Sequence, residues 1–430
     1  MAELSHNGST PPPWRLAIVS LHTSPTAALG GSANGGLNVY VRETAAAFAR
    51  AGIDCDIFTR AAGDRLASPV ERAGPHSRVI YLPAGPPGAS KYDLLEHADA
   101  FGAAIADWAE RSGIGYDLVH SHYWLSGAAA MRLRERADLP WVHTAHTLAL
   151  VKNRHLADGA RPEPGVRVQV ARDLAGAADR IVASTEDEAE EWAWTYGARP
   201  ERIRVVPPGV DLTVFRPRNR AASSTRIGFP GEQLVLFVGR LERLKGVEVI
   251  LRALALVNRG RDRAARLLVI GEDSRDAEES EQLRLRTLAE SLGIESQVTF
   301  LGSVAHAQLA HYYAAATVCV MPSYSESFGL VALEAQASGC PVIAADVSGL
   351  RSVVRNEVTG SLVPGHDPAA YAQRLRRLLD EPDLAEQMGR RGTLLAQRFT
   401  WSRTAGRLLD VYGELLEPAQ AGVQLGSLQE

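Results

Sequence analysis

Cysteine is scarce in this 430-residue chain: Cys55, Cys319 and Cys340 are the whole complement, and no two form a C-x-x-C pair. A disulfide framework and a thiolate zinc cluster are thereby excluded, and a reducing compartment, the cytoplasm, fits. Positive charge is not in excess either. Lys and Arg number 46 against 50 Asp and Glu, a formal net charge of -4, so there is no broad basic surface for nucleic acid. Long apolar runs are missing. The first one, residues 16–21, is far shorter than the ~20 residues of a membrane span. No basic leader precedes it, so neither a signal peptide nor an anchor is expected. What is plentiful is ordinary core material. Hydrophobic residues make up 46%, which excludes a mostly disordered chain, and the length suits two domains of roughly 200 residues each.

Short apolar segments alternate with helical patterns. Strands are expected at 15–21, 54–59, 78–82, 118–121, 141–144 and 180–183, with helices at 39–50 and 92–111 among those between. That alternation implies right-handed βαβ units and a parallel sheet. The segment VVPPGVDLTVFRP, residues 205–217, interrupts it as a linker. The alternation then restarts, with strands at 234–238, 267–270, 298–301, 318–321 and 341–344. The expected architecture is α/β: two Rossmann-like, doubly wound domains, 14–208 and 209–400, facing across a cleft. A last helix, 401–418, packs back toward the first domain, and tails fill 1–13 and 419–430. Ligands of such sheets bind beyond the carboxyl ends of the strands, so polar residues just after strands are the candidates.

Four groups stand there. The loop GGSANGG, 30–36, precedes a helix and lets backbone N–H groups approach a ligand. It is not G-x-G-x-x-G, and Thr59-Arg60 stands where a dinucleotide fold needs an acid, which sets a nicotinamide enzyme aside. Next, His120, His122, His143 and His146 crowd two strand ends. With no Asp, Glu or Cys beside them they read as core histidines satisfied by backbone, one or two facing the cleft, rather than as a zinc site. Third, Arg240 and Lys245 in Gly239-Arg240-x4-Lys245-Gly246 offer two cations to a diphosphate. The fourth is Pro322-Ser323-Tyr324-Ser325-Glu326, then a helix from Gly329 carrying Glu334. Free N–H groups at that helix start suit phosphate, and a carboxylate one turn in suits the diol of a ribose. Asp54-Cys55-Asp56, a D-x-D, opens a strand and reads as a solvated strand edge, not a metal site.

Glu326 and Glu334, seven residues between them, together with G-R-x4-K-G upstream, make the chain resemble glycosyltransferase family 4 over residues 14–416. The resemblance implies the GT-B fold and retaining transfer. The stretches SLHTSP (20–25), GGLNVYV (35–41), HSHYWLSG (120–127) and HTAHTL (143–148) are similar to the branch that moves N-acetylglucosamine from UDP to 1D-myo-inositol 3-phosphate at the start of mycothiol synthesis. The sucrose-phosphate-forming branch shares them. By this resemblance Lys91, Tyr123, Thr147 and Arg167 hold the acceptor phosphate and Asn38 touches the acceptor ring. On the donor side it implies Arg240 and Lys245 at the diphosphate, Glu334 at the ribose, Glu326 at the sugar, and contacts from His22, Gly36, Val304, Phe328, Gly329 and Leu330. His146 reaches the donor sugar near the reacting carbon and joins Glu326, Arg240 and Lys245 as the catalytic set. Three positions depart from the pattern: Ala33 for an Asp among the acceptor contacts, Val304 for an Arg in the uridine loop, and Cys340 for a Thr. The family's enzyme carries a magnesium near its second domain. No acidic cluster here marks that site, so a bound magnesium stays open with no ligand named, and no cofactor is expected to be required for the chemistry.

The expectation is a UDP-sugar transferase with a phosphorylated polyol or sugar as acceptor and neither nucleic acid nor membrane as partner; a homodimer stays open. Rivals are a UDP-sugar epimerase of the same fold, which needs no acceptor phosphate pocket, and a sugar-nucleotide sensor. A membrane-surface scaffold needs an exposed basic-apolar helix, whereas 92–111 carries Asp93, Glu96, Asp99, Asp107 and Glu110.

Overall fold

A computed structural model describes residues 14–26, 35–61, 68–86, 88–274 and 279–416. The expected tails and residues 30–34 of the glycine-rich loop, Ala33 included, lie outside the described residues.

The first sheet has eight strands, β1 (Arg15–Val19), β2 (Asp54–Arg60), β3 (Val70–Gly74), β4 (Ser77–Leu82), β5 (Leu118–His122), β6 (Trp141–Thr144), β7 (Arg180–Ala183) and β8 (Ile203–Val205). Their order is β3-β4-β2-β1-β5-β6-β7-β8, parallel except where β3 meets β4 antiparallel at the edge. The second sheet has six, β9 (Leu234–Val238), β10 (Arg266–Ile270), β11 (Val298–Gly302), β12 (Val318–Met321), β13 (Val342–Ala345) and β14 (Gly360–Val363). They are parallel throughout, in the order β11-β10-β9-β12-β13-β14. Both sheets reverse direction of growth beside their first strand, the doubly wound pattern, and the pair makes the GT-B arrangement.

Alternation along the strands builds the cores. Ala17 and Val19 face one layer of helices, Leu16 and Ile18 the other; in the second sheet Val235 and Phe237 oppose Leu234 and Leu236. With helices on both faces the strands are apolar on both sides. The 92–111 helix is two pieces, a 3-10 turn (Asp93–His97) and an α-helix (Ala98–Ser112).

β3, β8 and β14 were not expected. β3 reads VERAG and is largely exposed, and β8 has three residues, so neither carries a strand's apolar signal. The D-x-D reading needs correction. Asp56 is buried, not solvated: register sets it opposite Arg78 on β4, whose Nε donates to its Oδ1 at 2.7 Å, and the Tyr116 hydroxyl donates at 2.6 Å. Asp54 pairs with Arg15 and His76. Neither acid is near the cleft chemistry.

The chain crosses between the domains twice, side by side. Val210 bridges Thr400, and the Val210 N–H donates to the Phe399 carbonyl at 3.0 Å. Gly209 sits in that crossing because a Cβ there would lie 2.3 Å from the Trp401 nitrogen. The final helix, Trp401–Leu416, then enters the first domain's core beside Leu16 and Ile18.

Candidate active site

The carboxyl ends of β1, β5 and β6 deliver His22, Tyr123, His146 and Thr147 to one side of the cleft. Those of β9 and β12 deliver Arg240, Lys245 and Glu326 to the other. Two non-glycine residues in this group have backbones in the left-handed region, Tyr123 at φ 79° and His146 at φ 60°. Such conformations cost ~1–3 kcal/mol and persist where the surroundings impose them, often at functional sites.

On the first side, Arg167 lies on the helix Gly165–Ala177 with its side chain 1% exposed. Its Nη2 donates to the Thr147 hydroxyl at 2.6 Å, its Nη1 meets Glu163 at 2.7 Å, and its guanidinium stands 5.0 Å from the centre of the Tyr123 ring. Glu163 also accepts from Lys152 Nζ at 2.6 Å and from the Tyr92 hydroxyl at 2.8 Å. Burial alone would raise the Glu163 carboxyl; Arg167, Lys152 and Lys91 outweigh it and hold it far below the usual carboxylate range. Lys91 lies 4.9 Å from the Tyr92 ring centre. So Lys91, Tyr123, Thr147 and Arg167 share one neighbourhood, with Glu163 and Lys152 as members that sequence reasoning missed. Their signal, a Lys in the short helix Ala149–Arg154 and a Glu in the loop that follows it, has no meaning until that segment folds back.

Asn38 is fully buried in the first turn of the helix Gly36–Arg50. It exchanges hydrogen bonds with the Thr23 hydroxyl at 2.8 and 3.0 Å and donates to the Ser24 carbonyl at 3.1 Å, which fixes the loop that carries His22.

The four histidines pair with side chains, not with backbone as expected, and the buried His143 Nε2 is left without a hydrogen-bond partner. His120 pairs with the Tyr412 hydroxyl at 2.7 Å and with Thr144 at 2.8 Å; His143 pairs with Ser121 at 2.9 Å. His122 and His146 bond to each other, Nδ1 to Nε2, at 3.0 Å. Burial keeps this set neutral, with His143 and His146 pulled down to about 3. No group of three His, Cys, Asp or Glu side chains among the described residues is arranged to hold a metal ion, so no magnesium ligand is named and no step is routed through one.

On the second side, Gly246 brings two loops together. Its φ is 68°, and a Cβ would sit 2.2 Å from the Pro322 carbonyl oxygen, so only glycine lets the Arg240–Lys245 loop lie on the 322–326 loop. Lys245 Nζ meets Glu326 at 2.7 Å and Arg240 meets Glu242 at 3.2 Å. Glu334, in the helix Leu330–Ala337, is buried; its Oε1 meets His306 Nε2 at 2.6 Å and its Oε2 accepts from the Tyr313 hydroxyl at 3.0 Å. Glu334 and His306 line a cavity of about 460 Å³ closed on the far side by Arg42 and Glu43. Gly329, at φ 101°, caps the helix, Phe328 is buried beneath it, and Val304 packs in the loop after β11.

The sides meet. A Cβ on Gly36 would lie 3.2 Å from Leu330, and one on Gly35 4.0 Å from Arg240 Nε. Arg243 donates across the cleft to the Asp158 carbonyl at 2.9 Å. His22, 4.4 Å from the Tyr123 ring centre to centre, is pulled down to about 3 by burial and then by His146, Arg167, Lys91 and Arg240. Glu242 mirrors it. Burial would raise its carboxyl, and Arg240, Lys245, Lys152 and Lys91, two from each domain, bring it below its ordinary value. Cations from both domains thus face the cleft around His22 and Glu242, an environment that suits phosphate-bearing ligands.

Comparison with known proteins agrees. Residues 34–214 match the model of glycosyltransferase family 4, and residues 220–394 that of the group 1 glycosyl transferases. A D-inositol 3-phosphate glycosyltransferase of Nocardia farcinica is 46% identical over 97% of this chain and 93% of its own length. One of Acidothermus cellulolyticus is 45% identical over 94% and 92%. Among solved structures, the sucrose-phosphate synthase of Thermosynechococcus elongatus superposes with a TM-score of 0.86 at 35% identity, covering 94% of this chain and 99% of that one. Anabaena HepE in complex with UDP-glucose, at 20% identity and a TM-score of 0.73 over 94% and 99%, shares the fold.

Proposed function

This chain belongs to glycosyltransferase family 4, and from that premise we propose that it moves N-acetylglucosamine from UDP to 1D-myo-inositol 3-phosphate with retention at the anomeric carbon. The observation that carries the reading is the convergence of two cation sets, Lys91 with Arg167 and Arg240 with Lys245, on the His22–Glu242 region. We assign residues 14–208 to the acceptor and 209–400 to the donor, with 401–418 completing the first domain.

Lys91, Tyr123, Thr147 and Arg167 supply two cations and two hydroxyls to a phosphate dianion. Asn38 acts on the acceptor by holding the 22–24 loop. Arg240, Lys245 and the N–H groups at Gly329 stabilise the diphosphate as charge builds on the leaving oxygen. Glu334 takes the ribose, exchanging His306 or Tyr313 for the diol, and Glu326 takes the sugar, with His22, Gly36, Val304, Phe328 and Leu330 lining the donor. His146 contacts the donor sugar from the first domain. No side chain is assigned as a nucleophile, so the acceptor hydroxyl attacks from the face of the leaving group and passes its proton to the departing UDP oxygen; orientation and electrostatics are the protein's share. The work is placed in the cytoplasm; no described helix is long and apolar enough to cross a membrane.

The test is UDP release with inositol 3-phosphate, inositol and fructose 6-phosphate, using UDP-N-acetylglucosamine and UDP-glucose as donors. Turnover is expected with the first acceptor and first donor, with Arg167→Ala erasing the preference for phosphate. Equal rates with inositol and its phosphate refute the acceptor pocket. A second reading, sucrose-phosphate synthesis, is favoured by the 35% identity to that synthase. It wins if UDP-glucose and fructose 6-phosphate are used and inositol 3-phosphate is ignored.

A further inference from the structure

Glu163 presents a difficulty for a phosphate pocket. It places a carboxylate, 7% exposed, among the cations that should attract an anion. Its attachment is elaborate. The backbone is gripped at both ends by Asn153, which accepts from the Glu163 N–H at 2.7 Å and donates to its carbonyl at 3.1 Å. The carboxylate then takes Lys152 on Oε1 and both Arg167 and Tyr92 on Oε2. Arg167 is left with one end on Glu163 and the other on Thr147, its face against Tyr123 and Trp124, so the fork cannot turn. Lys152 is not spent on the carboxylate alone, because its ammonium carries three donors and one of them serves Glu163 Oε1 at 2.6 Å.

The charges also match. Lys91, Lys152 and Arg167 all act on Glu163, so cations outnumber the carboxylate they surround, as a phosphate anion requires. We propose that Glu163 is a positioning residue that locks Arg167 and Lys152 for the acceptor phosphate, and that Lys152 is a further cation of that cradle. The inference rests on the acceptor reading above and deepens it.

Steady-state kinetics of the full-length protein with UDP-N-acetylglucosamine and inositol 3-phosphate test it. Glu163→Gln should raise the acceptor KM at least tenfold while kcat changes less than threefold and the donor KM holds. Lys152→Met should do the same, and Lys152→Arg should restore the acceptor KM to within about threefold of wild type, which a packing role would not produce. Unchanged acceptor KM in both Glu163→Gln and Lys152→Met overturns the proposal. So does a fall of kcat and melting temperature with both KM terms rising in parallel, the mark of a loop that only needed its ion pair to fold. Should Glu163→Gln fail to fold, the Lys152 pair decides alone. Arg167→Ala run alongside separates the two levels: if it leaves the preference for phosphate intact, the pocket itself is wrong; if it abolishes the preference while the Lys152 and Glu163 variants behave as wild type, only this inference falls.

Discussion

The two sides of the cleft solve the same electrostatic problem differently. Arg167, on the acceptor side, is 1% exposed and tied to partners in its own domain before any ligand arrives. Arg240, on the donor side, is 42% exposed, and its acid Glu242 and the Lys245–Glu326 pair keep about a fifth of their surface open to solvent. One side is a fixed cradle whose charges are part of the core. The other is a set of exchangeable pairs in which an incoming diphosphate replaces carboxylates. Preorganisation on one side and exchange on the other predict opposite balances between stability and turnover.

The largest effect should come from Arg167→Ala. It takes one of two cations from the buried Glu163 and leaves Lys152, and removing a partner from a buried pair can cost up to about 3–5 kcal/mol, whereas Arg240→Ala, at a half-exposed pair, should cost less. Denaturant titration can follow this by tryptophan fluorescence, since all seven tryptophans, Trp14, Trp108, Trp124, Trp141, Trp192, Trp194 and Trp401, lie in the first domain or the helix that completes it. Equal midpoint shifts for the two variants would abolish the contrast.

Lys245→Ala should behave in reverse. Turnover should drop at least ~10²-fold, the size of a lost transition-state charge partner, with little change in melting temperature. Wild-type turnover would remove Lys245 from the donor machinery.

A third difference lies in pH. Folding lowers the histidines of the first domain, His22, His143 and His146 to about 3. The unfolded chain therefore binds protons from about 6.5 downward that the folded protein refuses until about 3, and stability is lost as pH falls through that window. Even one such histidine gives a slope of about 1.4 kcal/mol per pH unit. In the second domain the sign differs at His306: burial pulls its pKa down, but Glu334 carries it above the ordinary value, so its contribution is present below about 6.5 and lost as pH rises past the raised value. Fluorescence should show the first domain melting lower at pH 5 than at pH 7; a flat profile would contradict the neutral histidine set.

The smallest effect is expected from Arg243→Ala, which removes the bond to the Asp158 carbonyl. A partly exposed hydrogen bond of this kind is worth about 1 kcal/mol. A few-fold rise in both KM values, with kcat and melting temperature held, would place that bond in the closing of the cleft. No rise would make it incidental.

Much of this was legible in the sequence because the signals were local. Parallel strands buried on both faces are short apolar runs, and those of both sheets other than β8 and β14 were placed within a residue or two; the exposed antiparallel edge strand β3 carries no such run. Arg240, Lys245, Glu326 and Glu334 could be picked out because each follows a strand or opens a helix. What stayed hidden depends on pairing between distant residues. Asp56 was misjudged because its cover, Arg78 and Tyr116, arrives through register and a remote loop. Glu163 lies in a loop and Lys152 in a helix of only six residues, and His306 gains its meaning only where its helix packs against Glu334.

The final helix has a consequence for how the protein is made. Trp401, Leu408, Val411 and Tyr412 share a core with Leu16, Ile18 and Phe48, and Tyr412 supplies the partner of His120. A ribosome delivers the first domain's strands long before these residues exist. That domain must wait, with one face of its sheet only partly covered by the helix Gly36–Arg50, while the second domain, complete by about residue 400, can close first. The usual order of assembly during synthesis, from the amino end onward, is inverted here: the half translated first is finished last.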